Sequence, residues 1–111
     1  MTYQSHLHTK PLETIKAGKK TIESRLFDEK RRLIQLGDEI EYINRENPDD
    51  KIRVKVIGLL RYKNFHDLFS HNDCRKFGGE SVEQLESQIK EFYSDDMQEK
   101  YSVLGIEFEK L

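Results

Sequence analysis

Residues 37–63 read GDEIEYINRENPDDKIRVKVIGLLRYK, two β-strand patterns separated by a turn-rich loop. One strand is predicted from Gly37 to Asn44 and a longer one from Lys51 to about Lys63, while the loop between them contains Asn47-Pro48-Asp49. Antiparallel pairing about this loop matches apolar with apolar and acid with base. The expected register sets Ile40 opposite Val56, Tyr42 opposite Val54 and Glu41 opposite Lys55.

Gly58 interrupts the second strand between Ile57 and Leu59, and a glycine at such a position favours a local bend. A bend allows one long strand to form part of both sides of a small barrel. Strand patterns dominate the first half of the chain and return at its end, with helices between. This order predicts an α+β fold, a small mixed β-barrel of about five to six strands with flanking helices.

Periodicity and capping signals predict the remaining elements. Strands are expected over residues 3–8, 21–26 and 101–109, and helices over residues 10–17, 64–70 and from residue 81. Thr9 and Ser81 are the expected N-caps, with Gly18 ending the first helix in a left-handed conformation. Phe92 completes the expected apolar stripe of the longest helix.

The chain of 111 residues has the size of a single domain, expected to span residues 1–111. It contains neither a long apolar run nor a signal-peptide pattern, and Cys74 is its only cysteine, so we expect a cytoplasmic location and no membrane association. Residues 1–63 carry 14 basic against 10 acidic residues, and residues 64–111 carry 5 against 11. This asymmetry suits a polyanionic partner on one side of the molecule.

The most informative charged segment is GKKTIESR, residues 18–25. Glu23 and Arg25 are two positions apart on a predicted strand and project to the same face, and Lys20 precedes them at the start of the strand. The carboxylate can orient the guanidinium while the lysine and the remaining guanidinium donors bind a phosphate, a carboxyl group or a base edge. The alternative is a surface ion pair beside a solvated lysine.

The spacing Gly-x-Lys-x-x-Glu-x-Arg resembles the signature of the ASCH (activating-signal-cointegrator homology) family, whose domain is similar to the PUA fold of RNA-modifying enzymes. Further matches follow in the family's order: His8, Gly37-Asp38, Tyr62-x-x-Phe65 and residues 101–106. The resemblance covers nearly the whole chain. It implies a PUA-like barrel with a helix-bordered cleft and a role in RNA recognition or RNA-linked metabolism.

The resemblance also implies a ligand-binding set. Lys20, Glu23 and Arg25 would line the cleft, Gly18 would form the turn before them, and His8 would hydrogen-bond a ligand at the rim.

Some compact bacterial relatives in this family look like amidohydrolases that deacylate N4-acetylcytidine with a lysine, a threonine and a glutamate. Lys20 falls on their lysine, but Glu23 replaces their threonine, so a hydroxyl that can be activated is absent. Glu80 is an approximate positional match for their glutamate. Lys20 together with Glu23 would then hold a water and act as base and electrophile in the reaction.

No metal or other cofactor is expected. His6 and His8 share a strand face without a designated third ligand, and the spacing of His66, His71 and Cys74 fits no zinc module.

A stripe of basic residues is expected along one side of the long strand and is a candidate for nucleic-acid contact: Lys51, Arg53, Lys55, Arg61 and Lys63. An equally good interpretation is that these charges prevent aggregation through an exposed strand. Two alternatives are open for three aromatic residues, which either stack on bases or belong to the core: Tyr62, Phe65 and Phe69.

Three functions remain open. The chain is a binding module for RNA or a nucleotide, an amidohydrolase of a modified nucleoside, or a protein-interaction domain that uses its acidic C-terminal half. Salt-dependent RNA binding favours the first, turnover of N4-acetylcytidine the second and a co-purifying protein the third.

Overall fold

The two strand patterns of residues 37–63 form adjacent strands in a computed structural model that describes all residues from 1 to 111. The strands are β1 (Thr2–Leu7), β2 (Ile22–Leu26), β3 (Glu39–Asn44), β4 (Lys51–Tyr62) and β5 (Val103–Lys110). The helices are α1 (Thr9–Lys16), α2 (Phe65–Ser70), α3 (Val82–Ile89) and α4 (Asp95–Tyr101). Short 3₁₀ turns cover Arg31–Leu33 and Cys74–Lys76.

All five strands form one mixed sheet in the order β1-β3-β4-β5-β2. β1 runs parallel to β3, and the other neighbouring pairs are antiparallel. The sheet curls into a half-barrel whose edges are β1 and β2, so the α+β barrel-like fold expected from the sequence is confirmed. No helix is both long enough and apolar enough to cross a membrane.

The hairpin of β3 and β4 is antiparallel as expected, but the expected register is wrong by two residues. The observed pairs are Ile40 with Val54, Tyr42 with Ile52, Glu41 with Arg53 and Glu39 with Lys55. The loop is shorter than expected because the Asn44 amide N–H donates to the Asp50 carbonyl at 2.9 Å and the Asn44 side chain donates to the Asp50 carboxylate at 3.0 Å. A two-residue shift leaves every side chain on its expected face.

The expected bend in β4 is present as a β-bulge. Val56 pairs with Phe108 and Gly58 with Glu107, which leaves Ile57 as the extra residue. Because directly paired antiparallel residues share a face, Val56 and Leu59 both lie on the inner face although they are three positions apart.

The bulge also divides the basic stripe, so the expectation that its residues line one side of the strand is wrong. Arg53 and Lys55 precede the bulge and lie on the outer face, opposite Glu41 and Glu109. Arg61 follows the bulge, pairs with Leu104 and lies on the inner face. One inserted residue reverses the alternation of every later side chain in the strand.

Two hydrophobic clusters stabilise the sheet from its two faces. The inner cluster fills the curl and contains ten buried residues: Leu7, Leu12, Ile15, Ile40, Tyr42, Val54, Val56, Leu104, Ile106 and Phe108. The outer cluster packs α2 and α3 against the sheet: Ile22, Leu26, Phe65, Leu68, Phe69, Phe77, Leu85 and Val103. Of the three aromatics considered for base stacking, Phe65 and Phe69 are core, and Tyr62 is half-buried and stacks on His71.

Two local expectations are corrected at the helix ends. Thr9 does not cap α1, whose N-cap is His8, because its hydroxyl is shared with the side chains of Asn44 and Glu46. Phe92 lies beyond the end of α3 and is 62% exposed. Ser81 caps α3 as expected by accepting from the Gln84 amide at 3.2 Å.

A side chain at Gly105, in the middle of β5, is expected to crowd the outer core. A Cβ atom there would lie 3.0 Å from Leu68 Cδ1 and 3.2 Å from Ile22 Cγ2, both in the outer core. We predict that Gly105→Ala lowers the free energy of unfolding by about 2 kcal/mol in urea denaturation, through overpacking. Glu109→Ala, at an exposed position of the same strand, is the control. Equal effects of the two substitutions would contradict the packing described here.

Candidate functional site

The loop between α1 and β2 fixes the start of the charged segment. Gly18 adopts φ +78°, a conformation that favours glycine, and ends α1 as expected. The Lys20 amide then donates to the Thr14 carbonyl at 3.2 Å, and the Thr21 amide donates to the Lys76 carbonyl at 2.8 Å. These bonds set the direction in which the chain passes from Lys20 into β2.

Lys20, Glu23 and Arg25 converge on one another, and we call them the triad. Lys20 Nζ lies 3.3 Å from Glu23 Oε1, and Arg25 Nη2 lies 3.9 Å from Glu23 Oε2. The Ser24 amide also donates to Glu23 Oε1 at 3.1 Å. Glu23 is only 5% exposed and its two partners are half-buried, so the triad is not the surface ion pair that was its alternative.

Glu23 remains an anion in this environment. Burial by itself raises the pKa of the carboxyl group, but the charges of Lys20 and Arg25, with hydrogen bonds from Lys20 and Ser24, outweigh it and leave the pKa below its usual value. The Glu23 charge raises the pKa of the Arg25 guanidinium against the opposing effect of burial. Two cations and one anion leave the triad with a net positive charge.

The triad lines a cleft of about 370 Å³, which we call the triad cleft. Its walls are the triad, the end of β1, α3 and the turn that follows α3. Apolar side chains that belong to the outer core or pack against it also line the cleft: Phe69, Phe77, Leu85 and Ile89. Because β2 is an edge strand, the cleft lies where the curled sheet does not close.

Several residues of the triad cleft were not anticipated as site residues, among them Phe92, Tyr93, Arg45 and Gln88. Phe92 and Tyr93 follow α3 and bring two aromatic rings to the wall. The signal available for Phe92 was its helical spacing, which pointed to the core because the end of α3 at Ile89 was not recognised.

Glu23 also faces a second, much smaller cavity inside the barrel, of about 20 Å³. Glu23 and Tyr42 both line it, and the buried Glu23 Oε2 and Tyr42 hydroxyl make no hydrogen bond within the protein. Burial, with a smaller effect from the Glu23 charge, raises the pKa of the Tyr42 phenol well above its usual value. Tyr42 is therefore a neutral hydroxyl next to the triad.

His8 lies at the rim of the triad cleft and is more than half exposed. Its Nδ1 is 3.0 Å from Glu46 Oε1, and this hydrogen bond is the main reason that the pKa of the Glu46 carboxyl is lowered. His6 lines the same cleft. Nowhere do three His, Cys, Asp or Glu side chains form a cluster suited to a metal ion.

Glu80 is not brought to the triad. It is exposed, it is absent from the lining of the cleft, and its amide donates to the Gln84 side chain at 2.6 Å. The nearby Gly78 approaches Lys20 instead, since a Cβ on Gly78 would lie 3.6 Å from Lys20 Cβ.

A larger and more open groove of about 610 Å³ lies between α2, α3 and α4. Its charged groups are mixed in sign, and His66 Nδ1 is 2.5 Å from Glu86 Oε1 within it. Lys63 lines this groove and not the triad cleft. With no concentration of one charge, the groove gives less reason to expect a specific ligand than the triad cleft does.

The ASCH domain model matches residues 6–111. The chain belongs to the ASCH domain family. This ASCH domain is 35% identical to hypothetical protein PH0355, each chain being covered completely, with a TM-score of 0.89. It is 34% identical to protein PF0455 from Pyrococcus furiosus, covering 100% of this chain and 98% of that one, with a TM-score of 0.79.

The ASCH domain from Lactobacillus crispatus shares the fold at 12% identity, with a TM-score of 0.68 over 98% of this chain and 79% of that one. No curated protein matches the chain.

Replacement of Glu23 is expected to give a pH-dependent loss of stability in this ASCH domain. The pKa of the carboxyl is lower in the folded chain than its ordinary 4.5, so its ionised form stabilises the fold above about pH 5 and this contribution is lost as pH falls through the lowered pKa. We predict that Glu23→Gln lowers the free energy of unfolding by about 3 kcal/mol at neutral pH, because it leaves two cations unpaired.

The measurement is denaturant unfolding of both proteins from neutral to acidic pH. The difference between them should shrink as the solution becomes acidic, while Glu109→Gln, at an exposed position, should follow the wild type throughout. A constant difference at every pH would contradict an ionised Glu23.

Proposed function

We propose that this ASCH domain binds a nucleotide, either free or within single-stranded RNA, in the triad cleft. The observation that carries the proposal is the buried Glu23 carboxylate that holds Lys20 and Arg25 together beside a cleft with aromatic walls. RNA recognition is also the role suggested by the family resemblance.

The triad has hydrogen-bond donors to offer a ligand. One donor of the Lys20 ammonium is directed to Glu23, which leaves two for another acceptor. Arg25 contacts Glu23 at 3.9 Å, longer than a hydrogen bond, so guanidinium donors also remain for a ligand. The net positive charge favours an anionic or carbonyl-bearing partner such as a phosphate or a base edge.

The remaining walls suit a base. Phe92 presents an exposed ring and Tyr93 a half-buried one, and unstacked bases of single-stranded RNA are bound by stacking on such rings. A volume of about 370 Å³ lies within the usual range for small-ligand pockets. His8 at the rim supplies a further hydrogen-bonding group.

Lys20→Ala is expected to weaken binding of nucleoside monophosphates and of a single-stranded RNA about ten nucleotides long. Loss of a hydrogen bond from a charged donor costs about 1.5 kcal/mol or more, so we predict at least a tenfold rise in Kd by calorimetry and fluorescence anisotropy. Lys19→Ala is the matched control, because Lys19 is the adjacent exposed lysine outside the cleft. Equal losses in the two variants would contradict a specific role for the cleft.

Deacylation of N4-acetylcytidine is the alternative activity, and two features argue against it. Glu23 replaces the hydroxyl residue of the amidohydrolase-like relatives, and Glu80 lies away from the cleft. We therefore predict no measurable turnover of N4-acetylcytidine in a chromatographic assay. Efficient turnover that is lost in both Lys20→Arg and Glu23→Gln would favour the enzyme, because arginine keeps the charge but does not release a proton near neutral pH.

A further inference from the structure

Two arginine side chains lie against one phenylalanine ring at the end of the half-barrel. The guanidinium carbon of Arg61 is 3.9 Å from the centre of the Phe27 ring, and that of Arg32 is 4.7 Å away. Phe27 is half-buried against the inner core, and its amide donates to the Ser102 carbonyl at 3.1 Å. The ring is therefore a fixed support for two cations.

Neither arginine has an acidic partner. The nearby Asp28 carboxylate is paired with Arg31 at 3.2 Å, whereas Arg32, Arg61 and Lys30 form no ion pair. We call Phe27, Arg32 and Arg61 the basic rim. Like charges held close together repel one another, so an anion bound between or beside them relieves an existing cost.

Arg53, on the same strand, differs from Arg61 because it is paired with acidic side chains. It lies on the outer face of β4, 3.7 Å from the Glu39 carboxylate and 3.5 Å from that of Glu41. The bulge at Ile57 thus separates a neutralised arginine from one that is left without a counter-charge.

The basic rim lies next to the triad. Arg25 and Arg61 both pair with Leu104, from opposite sides of β5, so the two arginines occupy one row across the inner face. Adjacent strands are about 4.8 Å apart, which puts the backbones of these residues roughly 10 Å from each other. Phe27 follows Arg25 by two positions in the chain.

We propose that Arg32 and Arg61, supported by Phe27, bind phosphodiester groups of an RNA strand whose base occupies the triad cleft. This inference rests on the proposed nucleotide binding and adds a surface that a free mononucleotide does not reach. Guanidinium groups bind phosphate oxygens through paired N–H donors, and an arginine fixed on a ring loses little side-chain entropy on binding.

The test compares two probes on the full chain: CMP, measured by calorimetry, and a fluorescein-labelled single-stranded RNA about ten nucleotides long, measured by anisotropy over a range of salt concentrations. The double variant Arg32→Gln/Arg61→Gln keeps part of each side chain on the ring. We expect it to weaken RNA binding about tenfold, to lower the salt slope by about 0.7 for each phosphate that the variant no longer binds, and to leave CMP binding unchanged.

Arg53→Gln is the control, because it removes an exposed arginine from the same strand and should leave RNA binding unchanged. Thermal melts establish that each variant is folded, and the single variant Arg61→Lys, which keeps the charge, should bind RNA better than Arg61→Gln.

Four results would overturn the inference. If the double variant binds both probes like the wild type, the basic rim has no part in binding and the triad cleft stands alone. If CMP and RNA weaken equally, the rim binds free phosphate and not a strand. If polyglutamate displaces RNA as well as unlabelled RNA does, the partner is an acidic protein. If the wild type binds neither probe, the proposed function fails together with this inference.

Discussion

The Glu23 carboxylate is shielded from water and persists as an anion only because Lys20 and Arg25 lie on either side of it. This requirement constrains the chain around it. The turn at Gly18 must deliver Lys20 to the start of β2, and β2 must direct Glu23 and Arg25 to one face. Burial makes each charge depend on the other two, so the cluster that offers donors to a ligand is also part of what stabilises this edge of the sheet.

The open edge of the half-barrel explains why the site lies where it does. β1 and β2 end the sheet without pairing with each other, and side chains from both strands line the triad cleft and the small cavity behind it. The segment that follows β2 covers this gap, since the Tyr3 hydroxyl donates to the Leu33 carbonyl at 3.0 Å. A fully closed barrel would have used the same backbone edges for strand pairing and left no cleft.

The bulge in β4 distributes basic charge between the two faces. Before it, Arg53 and Lys55 are met by acidic side chains on β3 and β5, and this outer surface is close to neutral. After the bulge, Arg61 lies on the inner face, where its guanidinium contacts the Phe27 ring and has no acidic partner. A single inserted residue therefore decides which arginines keep an uncompensated charge, and that charge adjoins the triad.

Local patterns in the sequence determined the strands, most helix ends, the bend at Gly58 and the spacing of Lys20, Glu23 and Arg25, because each depends on residues only a few positions apart. Tertiary structure alone decided the rest. The hairpin register depended on the Asn44 to Asp50 contacts that shorten its loop, and the face of Arg61 depended on how β4 pairs with β5. The burial of Glu23, the aromatic walls of its cleft and the pairing of two arginines with one ring arise from segments distant in the chain, and no local pattern encodes where such segments meet.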